Sequence, residues 1–320
     1  MPEAADRYAT RPRTEADVGL AIERPRELGH ILRFSHEAMA TVFEVYAEHP
    51  DARYAAQAAQ AAFDLADRLE RELSRFLSNS DIARVNHLAA RGSTQVSAST
   101  LECLVIARHM FDLTAGAFDI SIGTGLPSLE LNPDAFLVHA TKGGVQVDLG
   151  GIGKGYAVDL MAELLEEWGL QVALVHGGFS SVIALEPPAD RHGWPLTLSD
   201  PASPSRVLAR LSVRQTALGA SGLRKGDHIL DPRTGEPARG RVATWVAVPR
   251  PQSAGAVEDA PRIAAAAVTD ALTTAFMLLS TEEIEGLCER TPGLEAWLLP
   301  EPAARPHEAS HLLHFGGPAD

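Results

Sequence analysis

Three short patterns in the chain carry residue types suited to holding and moving a phosphate. The first is Asp148-Leu-Gly-Gly-Ile-Gly-Lys-Gly155, where an apolar run, VQVDLG (145–150), enters a glycine cluster that opens the helical pattern YAVDLMAELLEEW. Bare backbone N–H groups and the positive end of a helix favour phosphate. Lys154 adds a point charge. Neither familiar phosphate motif fits. A Walker loop needs Gly at Asp148 and Ser or Thr at Gly155, and the dinucleotide fingerprint needs Gly at Tyr156. A glycine turn serving only close packing is the alternative reading. The second pattern is Asp270-Ala-Leu-Thr-Thr274. Positions i and i+4 share a helix face, so a carboxylate and a hydroxyl stand together, hard oxygens suited to Mg²⁺. A helix cap or a solvated face is the plain alternative, weakened by the apolar residues on both sides, among which polar groups need partners. The third is His228-Ile-Leu-Asp231-Pro-Arg-Thr-Gly235. Pro and Gly there mark a turn, beside a His that could act as base or hydrogen-bond donor or be structural. Gly116-Ala-Phe-Asp119 sets a ring and an acid after a helix stop. Phe118 either stacks on a ligand ring or belongs to the core. His307, His311 and His314 stand near helical spacing, and a solvated tail is the preferred reading there over a metal cluster.

The elements that must position these residues follow from periodicity. AMATVFEVYA (38–47) alternates as a strand does. Asp51 opens a helix to about Phe76 with an apolar stripe at Ala55, Ala58, Ala59, Ala62, Ala66, Leu69 and Leu73. Ser80 is an N-cap candidate for a short helix, and another helix runs from about Ser99 to Thr114. VQVDLG, VALVHGG (172–178), SSVIALE (180–186), TWVAV (244–248) and LEAWLL (294–299) read as strands, and ARLSVRQTALGAS (209–221) as strand and turn. Pro187 to Pro204 holds five prolines and reads as an irregular excursion. Ile263 to Leu279 reads as a buried helix and Glu282 to Glu289 as a shorter one. Strands and helices do not alternate as βαβ units do, so the pattern predicts an α+β chain with antiparallel sheets rather than a doubly wound fold. The expected organisation is a loosely held arm over 1–33, one domain over 34–300 and a tail over 301–320.

Composition narrows the function classes. Of 320 residues 45% are hydrophobic and 22% charged, enough for a sizeable core, which excludes a mainly disordered chain. The 28 Lys and Arg against 42 Asp and Glu give a net charge of −14, which argues against a general nucleic-acid binder. Cys103 and Cys288 form no C-x-x-C pair, so neither a zinc site nor a disulfide framework follows. The richest apolar run, Ile263 to Leu279, is broken by Thr269, Asp270, Thr273 and Thr274, so no transmembrane segment is expected.

Taken in order, AMATVFEV, LSRFLSNSDIARVN, TAGAFDISIG, VDLGGIGKGYAVD, VALVHGG, ASG, HILDPRTG and VTDALTTAFMLL resemble the ApbE family, the Mg²⁺-dependent FAD:protein FMN transferases. The likeness spans residue 38 to about residue 299. It implies an ApbE-like, T-fold-related α+β fold with antiparallel sheets flanked by helices. It also implies a reaction in which FMN passes from FAD to a Thr or Ser hydroxyl of an acceptor protein and AMP leaves, work of positioning and charge neutralisation. By the same resemblance Asp270, Thr274 and the Gly151 carbonyl hold Mg²⁺. Asp148 and Lys154 match cofactor-contacting positions. Met39, Phe76, Ala117, Phe118, Asp119 and Ile229 match positions along the FAD. His228 and Asp270 are the catalytic candidates, His228 to help deprotonate the hydroxyl or to position it.

The chain departs from the family pattern at several points. Phe76 stands where Tyr is usual, keeping a ring and losing a hydroxyl. Met39-Ala40-Thr41 replaces Met-Gly-Thr, Gly177-Gly178-Phe179 replaces Gly-Gly-Asp, and Ala220-Ser221-Gly222 replaces Thr-Ser-Gly. Only five residues separate Gly222 from His228, so a hairpin is trimmed. These last changes concern the acceptor side. They leave two alternatives open: Mg²⁺-dependent FAD hydrolysis to FMN and AMP, and FAD binding without catalysis. No signal peptide or lipobox-like segment is seen, so a cytoplasmic location is expected.

Overall fold

The computed structural model describes residues 19–23, 30–223, 229–250, 264–301 and 311–317. A short strand, Leu20–Ile22 (β1), precedes a hairpin of Leu32–Ala38 (β2) and Thr41–Ala47 (β3). The sequence pattern predicts one strand over 38–47. The structure has two, because the chain reverses at Met39-Ala40, both at positive φ (49° and 56°), with no Gly, Asn or Pro to mark the turn.

The helices follow their periodicity. Ala52–Leu73 (α1) is capped by Asp51, which accepts from the Arg53 and Tyr54 amides, and it buries the predicted alanine and leucine stripe. Ser80 caps Asp81–Asn86 (α2) through the Ala83 amide. Ala98–Leu113 (α3) stops short of Gly116, whose φ is +79°. Ser93–Gln95 (β4), Leu129–Asn132 (β5) and Leu137–Ala140 (β6) form a small sheet in the order β4-β6-β5 that no pattern in the sequence announces.

VQVDLG, predicted as a strand, joins no sheet. A side chain and a loop take up its backbone groups instead. The Val147 amide donates to Asn86 Oδ1 (2.6 Å), Asn86 Nδ2 donates to the Val147 carbonyl (3.0 Å), and the Asp148 amide donates to the Ile120 carbonyl (2.8 Å). Gly153–Glu167 (α4), Ala173–Gly177 (β7) and Ser181–Ala184 (β8) follow. The proline-bearing stretch predicted as irregular contains Trp194–Asp200 (β9) and the start of Ser203–Val213 (β10). Both prolines are placed where a missing N–H does little harm. Pro195 lies one residue past the β1 ladder, which ends at Ile22 and Leu196, and Pro204 lies in the bulged first part of β10.

Thr216–Gly222 (β11), Arg241–Pro249 (β12), Ala265–Phe276 (α5), Thr281–Arg290 (α6), Glu295–Pro300 (β13) and Leu313–Gly316 (β14) complete the described chain. The large sheet runs β14-β13-β12-β11-β8-β7-β3-β2 and a third sheet runs β1-β9-β10. The ladders between these strands are antiparallel, which gives the α+β architecture the sequence predicts. Alternate residues of the large sheet serve opposite faces. Phe43, Val45, Val175, Ile183 and Val246 join the helices in the main core, while Tyr46, Leu174, Val182, Leu218 and Trp245 meet Trp194, Leu196 and Leu198 of β9 in a second.

Within the segments read as arm and tail, β1 pairs with β9 and β14 pairs with β13, and residues 1–18, 24–29, 302–310 and 318–320 lie outside the described residues. Of the tail histidines, His314 bonds Glu295 Oε2 at 3.0 Å and stacks on Trp297, and His307 lies outside the described residues. Both cysteines are buried and free. Among the described residues no helix is long and apolar enough to cross a membrane.

Candidate functional site

The glycine turn and the α5 carboxylate meet at the start of α4. The Leu149 carbonyl accepts from the Ile152 and Gly153 amides (3.0 and 2.7 Å), which tightens the entry to the helix. Asp148 Oδ1 accepts from the Gly150 amide at 2.9 Å, a local turn of the kind short acidic side chains favour. Neither the Gly151 amide nor the Lys154 amide has an acceptor among the described residues. Two N–H groups at a helix N-terminus are therefore open to an anion. The Lys154 ammonium donates to the Gly150 carbonyl at 3.3 Å.

Asp270 is fully buried on α5. Its Oδ2 accepts from the Gly155 amide (2.8 Å) and its Oδ1 from the Ser181 hydroxyl of β8 (2.6 Å). Burial pushes its carboxyl up to about 6, against the opposing pull of the Lys154 charge and of these two donors. One turn on, the Thr274 hydroxyl bonds the Asp270 carbonyl at 3.2 Å. Gly151 closes the group: a Cβ there would stand 3.6 Å from Thr274 Oγ1 and 3.2 Å from the Phe118 ring. The close approach of α4 and α5 depends on Gly155, where a Cβ would stand 2.1 Å from the Ala266 carbonyl oxygen.

The donor set at this point suits a hard cation. Each Asp270 oxygen accepts a single hydrogen bond among the described residues and keeps lone-pair capacity, and the Thr274 hydroxyl and the Gly151 backbone lie alongside. Among the described residues there is no cluster of three His, Cys, Asp or Glu side chains. A cation here would therefore lean on one carboxylate, a hydroxyl and backbone oxygen, with ligand phosphate completing the shell, as Mg²⁺ commonly does.

The other predicted residues fall around this centre. Arg75, which the sequence reading did not single out, bridges to Asp148 Oδ2 (3.2 Å) and lies over the Phe76 ring at 4.7 Å. Phe76 is 81% exposed, and with Ile122, Asp148 and Arg75 it lines a cavity of about 560 Å³ beside the glycine turn. Ala117 and Phe118 are buried. Asp119 turns its carboxylate into its own loop, accepting from the Ser121 amide and hydroxyl (both 2.7 Å) and the Gly123 amide (2.9 Å). That loop packs against the Asp231–Gly235 turn, where a Cβ on Gly123 would stand 2.7 Å from the Pro232 carbonyl oxygen. Gly235 has φ +80°, as its place in the turn requires. Ile229 is buried with Ala238 and Met277 beyond the C-terminal end of α5. Met39 sits on the β2–β3 turn against the main core. His228 lies outside the described residues.

Three of the residues that complete this centre are absent from the sequence reading: Ser181, Arg75 and Asp159, whose carboxylate meets the first turn of α5. The pairs Ser181–Asp270 and Asp159–Ala266 span 89 and 107 residues, so no local spacing could reveal them. The departures also find places. Phe179, at φ +57°, stacks on His176 with ring centroids 4.3 Å apart. Ala220 faces the second core, whereas Ser221 turns to α5 and bonds Thr273 (3.0 Å).

Comparison with known proteins gives one consistent result. The model of the ApbE family matches residues 39–126 and 124–298. The FAD:protein FMN transferase of Treponema pallidum (strain Nichols) is 27% identical over 311 residues, covering 82% of each chain. That of Salmonella typhimurium (strain LT2) is 23% identical, covering 83% of this chain and 86% of the relative. Among solved structures, the flavin transferase ApbE from Vibrio cholerae superposes with a TM-score of 0.73 at 19% identity, covering 89% of this chain and 96% of that one. The ApbE protein from Thermotoga maritima gives 0.74 at 20% identity, covering 89% and 97%. These likenesses show the fold.

Proposed function

The chain belongs to the ApbE family, and from that premise we propose that it is an FAD:protein FMN transferase that uses Mg²⁺, a Thr or Ser hydroxyl of an acceptor protein, and AMP as leaving group. The observation that carries the reading is the meeting of Asp270 and Thr274 with the glycine turn at the start of α4. The relatives named as FAD:protein FMN transferases support the reaction class.

In this reading the open Gly151 and Lys154 amides and the Lys154 ammonium grip the diphosphate of FAD. Asp270, Thr274 and the Gly151 carbonyl hold Mg²⁺. When bound, the ion neutralises charge that grows on the phosphate oxygens during transfer. Phe76 and Phe118 supply rings beside the ligand, and Arg75 orients Asp148 at the cavity wall. His228 takes or steers the proton of the incoming hydroxyl. The bond from FMN phosphorus to the bridging oxygen of AMP breaks as the bond to the acceptor oxygen forms. Charge, position and water exclusion supply the catalysis, as phosphoryl chemistry demands.

The test is incubation with FAD, Mg²⁺ and a flavoprotein subunit carrying a Thr or Ser modification site. Mass spectrometry of the acceptor should show the added mass of FMN, with AMP appearing in equal amount. Complete AMP release without an acceptor would move the assignment to FAD hydrolysis, the reading favoured by Phe179 and Ala220 where acceptor-side residues usually stand. Bound FAD that never turns over would reduce the protein to a flavin carrier.

A further inference from the structure

Helices α4 and α5 have no side-chain caps at their own N-cap positions, which are Ile152 and Ala264. The first N–H groups of a helix lack intrahelical acceptors and need partners when buried. Here each helix serves the other. Asp159 on α4, itself buried, accepts from the Ala266 and Ala267 amides in the first turn of α5 at 3.0 and 2.8 Å. Asp270 on α5 accepts from the Gly155 amide in the first turn of α4 at 2.8 Å. The backbones touch between these two bonds, at Gly155 and Ala266.

We propose that Asp159 is a positioning residue, which clamps the first turn of α5 onto α4 and so fixes the rotation at which Asp270 and Thr274 reach the glycine turn. The inference rests on the reading of that turn as a phosphate and cation site. Ala266, Asp270 and Thr274 recur at i, i+4 and i+8, so they share a stripe of α5. Whatever pins Ala266 against α4 therefore sets the azimuth of the two proposed ligands. A slip of one residue would rotate the helix by about 100° and carry the Asp270 carboxylate out of reach of Gly155 and Ser181. Ser181 restrains only the far side of that carboxylate, from the sheet. Asp159 acts on the backbone that carries it.

Full-length Asp159→Ala and Asp159→Asn test this against wild type. The first reading is the Mg²⁺ concentration that gives half of the metal-dependent thermal shift in saturating FAD. The second is hydrogen exchange at the Gly155 amide, which bonds Asp270 and not Asp159. Asp159→Ala should raise the Mg²⁺ half-saturation by about 10-fold or more, as loss of a residue that orients a ligand generally does. It should also speed exchange at Gly155. Asp159→Asn keeps one acceptor oxygen and should fall between. A folded Asp159→Ala protein with wild-type half-saturation and wild-type Gly155 protection would overturn the proposal and leave Asp159 as a cap for α5 alone. Should the alanine variant lose its cooperative melt, the asparagine variant carries both readings. A wild-type protein whose melt ignores Mg²⁺ would sink the metal reading instead, and Gly155 exchange in the variants would then decide the clamp by itself.

Discussion

Asp270 carries the heaviest demand of any side chain in the site. From full burial it bonds Ser181 and the Gly155 amide, and in the proposed function it also holds the cation. Asp270→Asn keeps the volume and removes the charge, so Mg²⁺-dependent AMP release should fall by roughly 10³-fold, the several kcal/mol that a metal supplies to a phosphoryl transition state. The far-ultraviolet circular dichroism should be unchanged. Wild-type AMP release in that variant would remove Asp270 from the reaction. Asp270 and Thr274 were legible in the sequence because their relation is one helical turn. Ser181, which shares the same carboxylate, was not, since only the folded sheet brings it there. Asp81 shows a different balance at the start of α2. Burial pushes its carboxyl up, but the Ser97 amide, the Thr100 and Ser97 hydroxyls and the Arg84 charge together hold it below its usual 3.8. The folded carboxyl thus binds its proton less tightly than the unfolded chain does. Its stabilisation is full above about pH 3.8 and is lost as pH falls through the lower folded value. Asp81→Asn should cost about 1.5 kcal/mol at pH 7, the scale of a hydrogen bond to a charged group. In urea titrations the gap from wild type should close as the pH drops below 3.8. A gap that persists at low pH would assign the loss to shape rather than charge.

At the scale of elements, turns and helix contacts decide stability through backbone geometry. Ala40 is an exposed L-residue at φ +56° in the β2–β3 turn, a conformation that costs such residues about 1–2 kcal/mol. Ala40→Gly should therefore stabilise the protein by about 0.5–1 kcal/mol after the greater freedom of glycine in the unfolded chain is counted. Equilibrium denaturation reads this directly, and a lower midpoint would show that the turn changes shape to suit alanine. Gly155 makes the opposite demand. Its Cβ position collides with the Ala266 carbonyl, a backbone atom that cannot rotate aside. Gly155→Ala should cost at least about 3 kcal/mol, the upper part of the usual overpacking range, and should weaken the Mg²⁺ response, because α5 must move away from α4. A fully stable Gly155→Ala protein would mean that the two helices tolerate more separation than their contacts suggest. In the sequence the glycine cluster offers either amides for a phosphate or a turn for close packing, and its last member, Gly155, serves helix packing.

For the whole molecule, the legible part was whatever repeats locally. The α1 stripe, the Ser80 cap, the hydrophobic α5 segment and the inner strands of the large sheet announce themselves by period, while its two edge strands, β2 and β14, do not. What stayed hidden depends on distant partners. Residues 145–150 look like a strand but find Asn86 and Ile120 instead of a neighbouring strand. The proline-rich stretch looks irregular but pairs as β9 and β10 because its prolines avoid the ladder positions that matter. Of these hidden pieces, β9 and β10 sit on the far side of the large sheet from α4 and α5, whereas residues 145–150 lead into α4 and place Val145, Val147 and Leu149 in the main core. The molecule therefore divides its labour by layer: the helical layer carries the site, and the β1-β9-β10 sheet closes the opposite apolar face. Trp194 is the test of that division. It is fully buried in the second core, and its indole N–H donates to the Glu186 carbonyl at 3.1 Å. Trp194→Ala should cost about 3–5 kcal/mol, the usual penalty for emptying a large aromatic site, and should lower the melting temperature accordingly. The Mg²⁺ half-saturation of the molecules that remain folded should stay at the wild-type value, because Trp194 packs in the second core, on the face of the large sheet away from α4 and α5. A loss of Mg²⁺ affinity in folded Trp194→Ala protein would show instead that the large sheet transmits packing from its rear face, through Ser181 on β8, to the Asp270 carboxylate.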